Sequence, residues 1–192
     1  MTGRTHDLGA ITALGAIVIF GPQHTVALST AIAAVVANQV GGILPDIDQP
    51  TAPFWHNLPI GGTFGRIFDK LLGGHRFLTH SLLGVALFGM LAHFLLLFIH
   101  PLMPHVDSGL VWWAFLIGML SHLVMDSFTK EGVPWLLPIP IKFGFPPSKS
   151  LRLTTGKFVE TLVVFPGLIA LNIWFYASHY HAVLALIHQH IV

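Results

Sequence analysis

An imidazole and a carboxylate lie close together within one of the most apolar stretches of this sequence. His122 and Asp126 are four residues apart in GLVWWAFLIGMLSHLVMDSFTKEG, residues 109–132, so a helix would place both on one face. An ionisable side chain at membrane depth is costly unless it is paired or binds a metal. The pair therefore predicts either a buried hydrogen bond or two ligands of a metal ion.

The composition indicates that a lipid bilayer surrounds much of this chain. Charged residues make up 9% of the 192 residues and hydrophobic residues 54%, with a mean hydropathy of +0.75. So few charges cannot cover the surface of an ordinary soluble domain. The chain has no cysteine, which excludes disulfide frameworks, thiolate zinc sites and cysteine nucleophiles.

Five apolar runs predict an all-α, multi-pass membrane helical bundle that forms a single domain over residues 1–192. The predicted spans lie near residues 8–21, 26–44, 77–99, 109–128 and 158–176. The first run is shorter than the roughly 20 residues of a typical spanning helix. A tilted or half-buried helix and a signal peptide therefore stay open as alternatives for that run.

Two long segments between the runs have compositions typical of the membrane interface. Residues 53–74 mix aromatic residues, leucines and a few charges, as an interfacial helix does. Residues 132–147 are too rich in proline for a helix and too apolar for a solvated loop. We expect this second segment to lie against the lipid headgroups as a lid.

The basic residues predict the orientation of the bundle. With five spans, all nine lysines and arginines fall on one side of the membrane. The other side comprises residues 21–25, 100–108 and 177–192, which contain none. The positive-inside rule then places the N-terminus and both long loops in the cytoplasm, and the C-terminus outside.

This topology brings the unusual polar residues to one level of the membrane. Each lies at the cytoplasmic end of a predicted span: His6, Asp46, Asp48, His75, Arg76, His80, His122, Asp126 and Glu160. Imidazole and carboxylate donors without thiolates suit zinc, manganese or iron. Each motif alone also fits a structural role, but their conjunction predicts a divalent-metal site.

Residue types predict roles within that site. Arg76 and His80 are four residues apart on the predicted third helix, which places a guanidinium beside a metal ligand. Arginine there would bind a phosphate oxygen or stabilise a developing oxyanion. Asp48 or Glu160 is the expected general base if it is not a ligand.

Sequence motifs of several other hydrolase classes are missing. The chain contains no HExxH zinc-protease string, no P-loop and no GxSxG. The membrane acid phosphatases resemble it in the HxxxD element, but they carry an arginine six residues before the histidine. Here that position is Leu116, so the likeness does not extend beyond the pair.

The order of five motifs resembles the YdjM-like inner-membrane proteins, which are described as metal-dependent hydrolases. The motifs are His6, GGILPDID at 41–48, HRFLTHS at 75–81, SHLVMD at 121–126 and TGKFVE at 155–160. The resemblance covers most of the chain. It implies a multi-pass protein of a bacterial-type inner membrane.

The ligand order is also similar, more distantly, to zinc-dependent phospholipases C and single-strand-specific zinc nucleases. The ligands implied by this likeness are Asp46, His75 or His80, His122 and Asp126 for one zinc, and His6 with Asp126 for another. Those enzymes continue with further histidines and a second HxxxE or HxxxD, whereas only Glu160 follows here. We therefore expect one or two divalent ions, zinc before manganese.

These observations favour a membrane-bound, metal-dependent hydrolase of phosphoester bonds. We expect a phospholipid or lipid-linked phosphoester as its substrate, rather than a nucleic acid. A metal or proton transporter and a non-catalytic scaffold stay open as alternatives. Transport would need polar residues that continue towards the far side, and His93 is the only ionisable residue deep in a predicted span.

Overall fold

The protein is a bundle of helices, and its longest helices consist mainly of apolar residues. The computed structural model describes residues 1–21, 26–56, 59–74, 76–139 and 141–181. Within these ranges the helices are α1 (Gly3–Phe20), α2 (Leu28–Ile43), α3 (Pro53–His56), α4 (Gly61–Leu71), α5 (Leu82–Ile99), α6 (Ser108–Ser127) and α7 (Phe165–Ser178). The described residues form no strand beyond two isolated backbone bridges.

Four helical stretches are long and apolar enough to cross a membrane. They are Leu28–Asp48, Leu82–Leu102, Ser108–Ser127 and Glu160–Ser178. The helix α1 packs against α2, α6 and α7, but its first two turns carry Arg4, His6 and Asp7. The prediction of an all-α, multi-pass bundle is confirmed, and the predicted number of spans is approximately right.

The structure corrects two predicted helix starts. The helix α1 begins at Gly3, so His6 lies inside it rather than before it. The helix α5 begins at Leu82, because the Ser81 hydroxyl accepts a hydrogen bond from the Gly84 N–H at 3.0 Å and caps its first turn. Arg76 and His80 therefore lie in turns before α5, and the prediction that they share a helical face is wrong.

Glycines let α2 and α6 pack at close range. A Cβ atom on Gly41 would lie 2.1 Å from the carbonyl oxygen of Phe115, and one on Gly118 would lie 2.1 Å from that of Asn38. The buried Asn38 side chain donates to the Ala114 carbonyl at 3.1 Å across the same contact. This close approach brings the end of α2 against α6.

The proline-rich segment folds back onto the ends of α5 and α6. Val133 is fully buried and pairs through its backbone with Phe143. The Trp135 carbonyl accepts from the Leu82 N–H at 3.0 Å, and the Trp135 indole donates to Ser127 at 2.9 Å. These bonds fix the segment beside the helix ends that carry the polar residues.

The helix α4 has the two faces of an interfacial helix. Gly61 and Gly65 are buried where the helix meets the segment around Trp55. Phe64, Ile67 and Leu71 are exposed on another part of its surface. Exposed apolar side chains at helical spacing fit the predicted location at the membrane surface.

Candidate metal site

Side chains from α1, the turn after α2, the loop before α5 and the end of α6 meet in one cluster. Its members are His6, Asp46, Asp48, Arg76, Thr79, His80, His122 and Asp126. All of these side chains are buried except that of Asp46, which is 21% exposed. The predicted ligand His75 lies outside the described residues.

The packing of α2 against α6 orients His122. Its Nδ1 atom lies 2.7 Å from the carbonyl oxygen of Gly42, a distance at which the ring N–H donates to that oxygen. The other nitrogen, Nε2, is buried and has no hydrogen-bond partner among the described residues. A histidine fixed in this way presents the Nε2 lone pair, the arrangement typical of a metal-binding imidazole.

Two histidine nitrogens each lie close to two carboxylate oxygens. The Asp46 Oδ1 atom is 3.8 Å from His80 Nε2 and 3.6 Å from His122 Nε2. The Asp126 Oδ2 atom is 3.6 Å from His80 Nε2 and 3.8 Å from His122 Nε2. Ligands of a tetrahedral ion at about 2.0–2.2 Å stand about 3.3–3.6 Å apart. Asp46, His80 and His122, whose donor atoms lie within 4.8 Å of one another, could therefore hold one ion after small inward shifts.

The second predicted ligand group, His6 with Asp126, shares a donor with the first. The His6 ring stacks on that of His122 with centroids 3.6 Å apart, and His6 Nε2 lies 3.1 Å from Asp126 Oδ1. The group of His6, His122 and Asp126 also includes His122, whose Nδ1 atom faces the Gly42 carbonyl and leaves Nε2 as its ligand atom in both groups. Since one nitrogen binds one ion, the geometry favours a single ion over two.

Arg76 is the main cationic partner of Asp126. Its backbone has a positive φ of 59°, and its side chain is only 5% exposed. One terminal nitrogen, Nη2, lies 2.6 Å from Asp126 Oδ2, and the other, Nη1, donates to the Thr129 hydroxyl at 2.9 Å. The amino group of Met1 contacts the second carboxylate oxygen of Asp126. Arg76 therefore lies beside the candidate ligand Asp126, and a loop rather than a helix positions it.

Asp48 holds the loop that carries Arg76 and His80. Its fully buried carboxylate accepts from the Arg76 N–H at 3.1 Å and from the Thr79 hydroxyl. The Thr79 hydroxyl also lies 3.0 Å from His80 Nδ1. These contacts make Asp48 a support for the site, so its geometry does not favour the predicted role of general base.

The carboxylates of the cluster act together on His80. Burial alone would lower the pKa of His80. Hydrogen bonding to Asp126 and Asp48, with the added charge of Asp46, raises the pKa of His80 above its usual value instead. The cluster thus attracts positive charge, which a proton or a metal ion would supply.

Glu160 lies away from these donors in a different set of contacts. Its carboxylate accepts from the Thr2 N–H at 2.6 Å, the hydroxyls of Thr2 and Thr5 at 2.8 Å, and the Gly156 N–H at 2.7 Å. Glu160 is 1% exposed. It therefore fastens the start of α1 to the segment before α7, and its contacts do not favour the predicted role of general base.

Two important partners of the site had no signal in the sequence. The Gly42 carbonyl is a backbone group, and no residue type marks which carbonyl meets a buried histidine. Thr129 is buried beyond the end of α6, where its hydroxyl donates to the Asp126 carbonyl at 2.8 Å and accepts from Arg76. A threonine after a helix has many uses, so only the fold identifies this one.

The comparisons with known proteins agree with a membrane protein. A family model described as "YdjM inner membrane protein" matches residues 1–191. The chain is 29% identical over 181 residues to "Uncharacterized protein YvsG" of Bacillus subtilis (strain 168), covering 94% of this chain and 98% of YvsG. No solved structure matches the chain.

Two further relatives carry the family's own name. The chain is 36% identical over 111 residues to "Inner membrane protein YdjM" of Escherichia coli (strain K12), and equally to that of Shigella flexneri. Each match covers 54% of this chain and 48% of the relative, so the match spans about half the length of those proteins. These names describe a location and give no reaction.

The contacts of Glu160 lead to a prediction about stability. Glu160→Gln places an amide N–H₂ group among N–H and O–H donors, and we expect a loss of about 1–3 kcal/mol in the free energy of unfolding. The control change Lys149→Gln, at an exposed position, should stay within about 0.5 kcal/mol of the wild type. Denaturant unfolding in detergent micelles measures both. Equal stability of the two variants would contradict a structural role for Glu160.

Proposed function

The chain belongs to the YdjM inner membrane protein family, and from the geometry of the cluster we propose that it is a metal-dependent hydrolase of phosphoester bonds. The observation that carries the proposal is that the Nε2 atoms of His80 and His122 each lie 3.6–3.8 Å from a carboxylate oxygen of both Asp46 and Asp126. The likeness to zinc-dependent phospholipases C supports the proposal through ligand order alone.

The core ligands are Asp46, His80 and His122, which form one group of mutually close donor atoms. Asp126 completes the set, but its Oδ2 atom also faces Arg76 at 2.6 Å. Three firm protein ligands with a weaker fourth leave room for substrate, as hydrolytic metal sites require. Two imidazoles favour zinc, with manganese as the alternative. The bound ion would polarise a phosphate oxygen and lower the pKa of its water to about 7.

Arg76 is the residue that binds the substrate phosphate. Its guanidinium lies beside the ligands and carries two or more N–H donors in a plane that matches a phosphate. The same group would balance the negative charge that grows during phosphoester cleavage. Asp48 positions both Arg76 and His80 through the loop contacts described above.

A lipid headgroup is the substrate that fits this location. Asp46 and Asp126 lie at the ends of two candidate spans, close to where headgroups begin. The exposed apolar face of α4 and the proline-rich segment flank this side of the bundle. A phospholipid or lipid-linked phosphoester would reach the cluster without leaving the bilayer, whereas a nucleic acid would not.

The first test of the proposal is metal content. Protein purified in detergent should carry about one equivalent of zinc or manganese by elemental analysis, and His80→Ala and His122→Ala should each weaken binding at least about tenfold. His93→Ala is the matched control, because His93 lies on α5 and packs on Trp112 instead of joining the cluster. Equal metal content in the wild type and all three variants would contradict the assigned ligands. A wild type that binds no metal, even after metal is added back, would rule out the proposal.

The second test is hydrolysis. In proteoliposomes of phosphatidylethanolamine and phosphatidylglycerol loaded with zinc or manganese, we expect release of a water-soluble phosphoester or phosphate. Arg76→Met should reduce this rate roughly 10²-fold with the metal content retained, since a donor to the developing charge is lost. Arg66→Met, at an exposed position of α4, should leave the rate unchanged. Metal flux into the vesicles without hydrolysis would favour a transporter instead.

We propose that the cluster faces the cytoplasm, as the basic residues predict. The chain has no cysteine, so single-cysteine variants report topology without background. Cysteine at Ser150, in the long loop before α7, should react with a membrane-impermeant maleimide only in inside-out vesicles. Cysteine at Met103, between α5 and α6, should react in intact cells. The reverse pattern would invert the orientation.

A further inference from the structure

A long apolar groove runs beside the cluster, between α1, α6 and α7. Its volume is about 650 Å³. The floor on α1 includes Ala13 and Ala16, whose small side chains leave the space open, whereas the Met125 side chain fills the space at Gly9. Larger residues of α6 and α7, such as Leu120 and Leu168, form the two walls. Ile17, at the end of the groove furthest from the cluster, is 52% exposed, so the groove is open to the bilayer there.

The lining leaves hydrocarbon as the suitable occupant. Thr12 and Ser121 are its only hydroxyl side chains among the described residues. The Thr12 hydroxyl donates to the Leu8 carbonyl at 2.7 Å and accepts from Asn172 at 2.6 Å, and Ser121 donates to the Gly118 carbonyl at 2.8 Å. Both hydroxyls are thus engaged within the protein. A polar group placed in the groove would lose its hydrogen bonds to water without gaining new ones.

The length of the groove matches one leaflet of a membrane. It extends along α6 from Ile117 to Phe128 and along α7 from Val164 to Phe175. Each stretch rises by about 16 Å at roughly 1.5 Å per residue. Half of a hydrocarbon core about 30 Å thick is nearly the same distance. A single acyl chain would therefore fill the groove from the headgroup level to the bilayer midplane.

The headgroup end of the groove meets the candidate metal site. Met1 lines this end of the groove, and its amino group contacts the Asp126 carboxylate. The Asp126 carboxylate lies 2.6 Å from the Arg76 guanidinium. A phosphate held by Arg76 would thus be placed where a chain lying in the groove emerges.

We propose that this groove binds one fatty acyl chain of the phospholipid substrate, whose phosphate lies between Arg76 and the metal ligands. The inference rests on the proposed function and narrows its substrate class to diacyl phospholipids of the leaflet at the cluster end. Recognition by the groove depends on the acyl chain and not on the headgroup, so headgroup selectivity belongs to the cluster alone.

Photolabelling tests the groove directly. The probe is phosphatidylglycerol with a diazirine near the methyl end of one acyl chain, in nanodiscs of phosphatidylethanolamine and phosphatidylglycerol. After irradiation, mass spectrometry of the wild type should locate adducts on the groove walls of α6 and α7. Ala13→Phe fills the floor and should abolish these adducts. The matched change Ala86→Phe, at an exposed position of α5, should keep them.

Adducts spread evenly over all lipid-facing helices, or adducts that persist in Ala13→Phe, would overturn the acyl-chain site. A diazirine-bearing amino acid at Leu168 identifies any other occupant. Lipid adducts at Leu168 support the proposal, whereas a crosslink to another segment of the chain or to a second copy overturns it. Unaltered thermal unfolding verifies that the Ala13→Phe variant is folded. If that variant does not fold, Ala16→Phe replaces it in the same experiment.

The groove and the proposed function fail in different ways. If the wild type forms groove adducts but never releases a phosphoester, the groove is a lipid site on a protein that is not a hydrolase. Hydrolysis that Ala13→Phe leaves unchanged would keep the hydrolase and remove the groove from substrate binding. With both proposals correct, Ala13→Phe loses adducts and hydrolysis but retains metal, whereas stripping the metal stops hydrolysis and leaves the adducts.

Discussion

The structure depends on the burial of one carboxylate, that of Asp126, at the end of a membrane helix. Its side chain is only 1% exposed, and a buried charge without partners would destabilise the fold strongly. Partners come from distant parts of the chain: His6 from α1, Arg76 from the loop before α5, and His80 from the same loop. The helices must therefore assemble with their polar ends at one level, because only that arrangement compensates the charge.

Packing and chemistry are joined where α2 crosses α6. The glycines at this crossing allow backbone contact, and the same approach brings the Gly42 carbonyl within 2.7 Å of His122. That hydrogen bond selects which imidazole nitrogen faces the cluster. A larger residue at Gly41 or Gly118 would separate the helices and release the histidine. The orientation of a candidate ligand is thus a consequence of the small residues at the helix crossing.

Much of the fold and part of the site could be predicted from the sequence. Hydropathy gave the spanning helices, and the charge pattern placed His6, Asp46, His122 and Asp126 at one level, where the structure brings them together. Periodicity wrongly predicted that Arg76 and His80 lie within a helix. The positive φ of Arg76 and the cap at Ser81 make α5 begin only at Leu82. Glu160 fits the same charge pattern, yet threonine hydroxyls and backbone N–H groups engage it elsewhere. Sequence spacing cannot distinguish a carboxylate that binds a metal from one that accepts hydrogen bonds.

The shared nitrogen of His122 limits the number of metal ions that the cluster can bind at one time. Two donor groups converge on it, one with Asp46 and His80 and the other with His6 and Asp126. Because the single lone pair of this nitrogen can bind only one ion, a metal ion bound by one donor group excludes an ion from the other group. Titration with metal would then follow a simple one-to-one isotherm without cooperativity, however many ligands surround the ion.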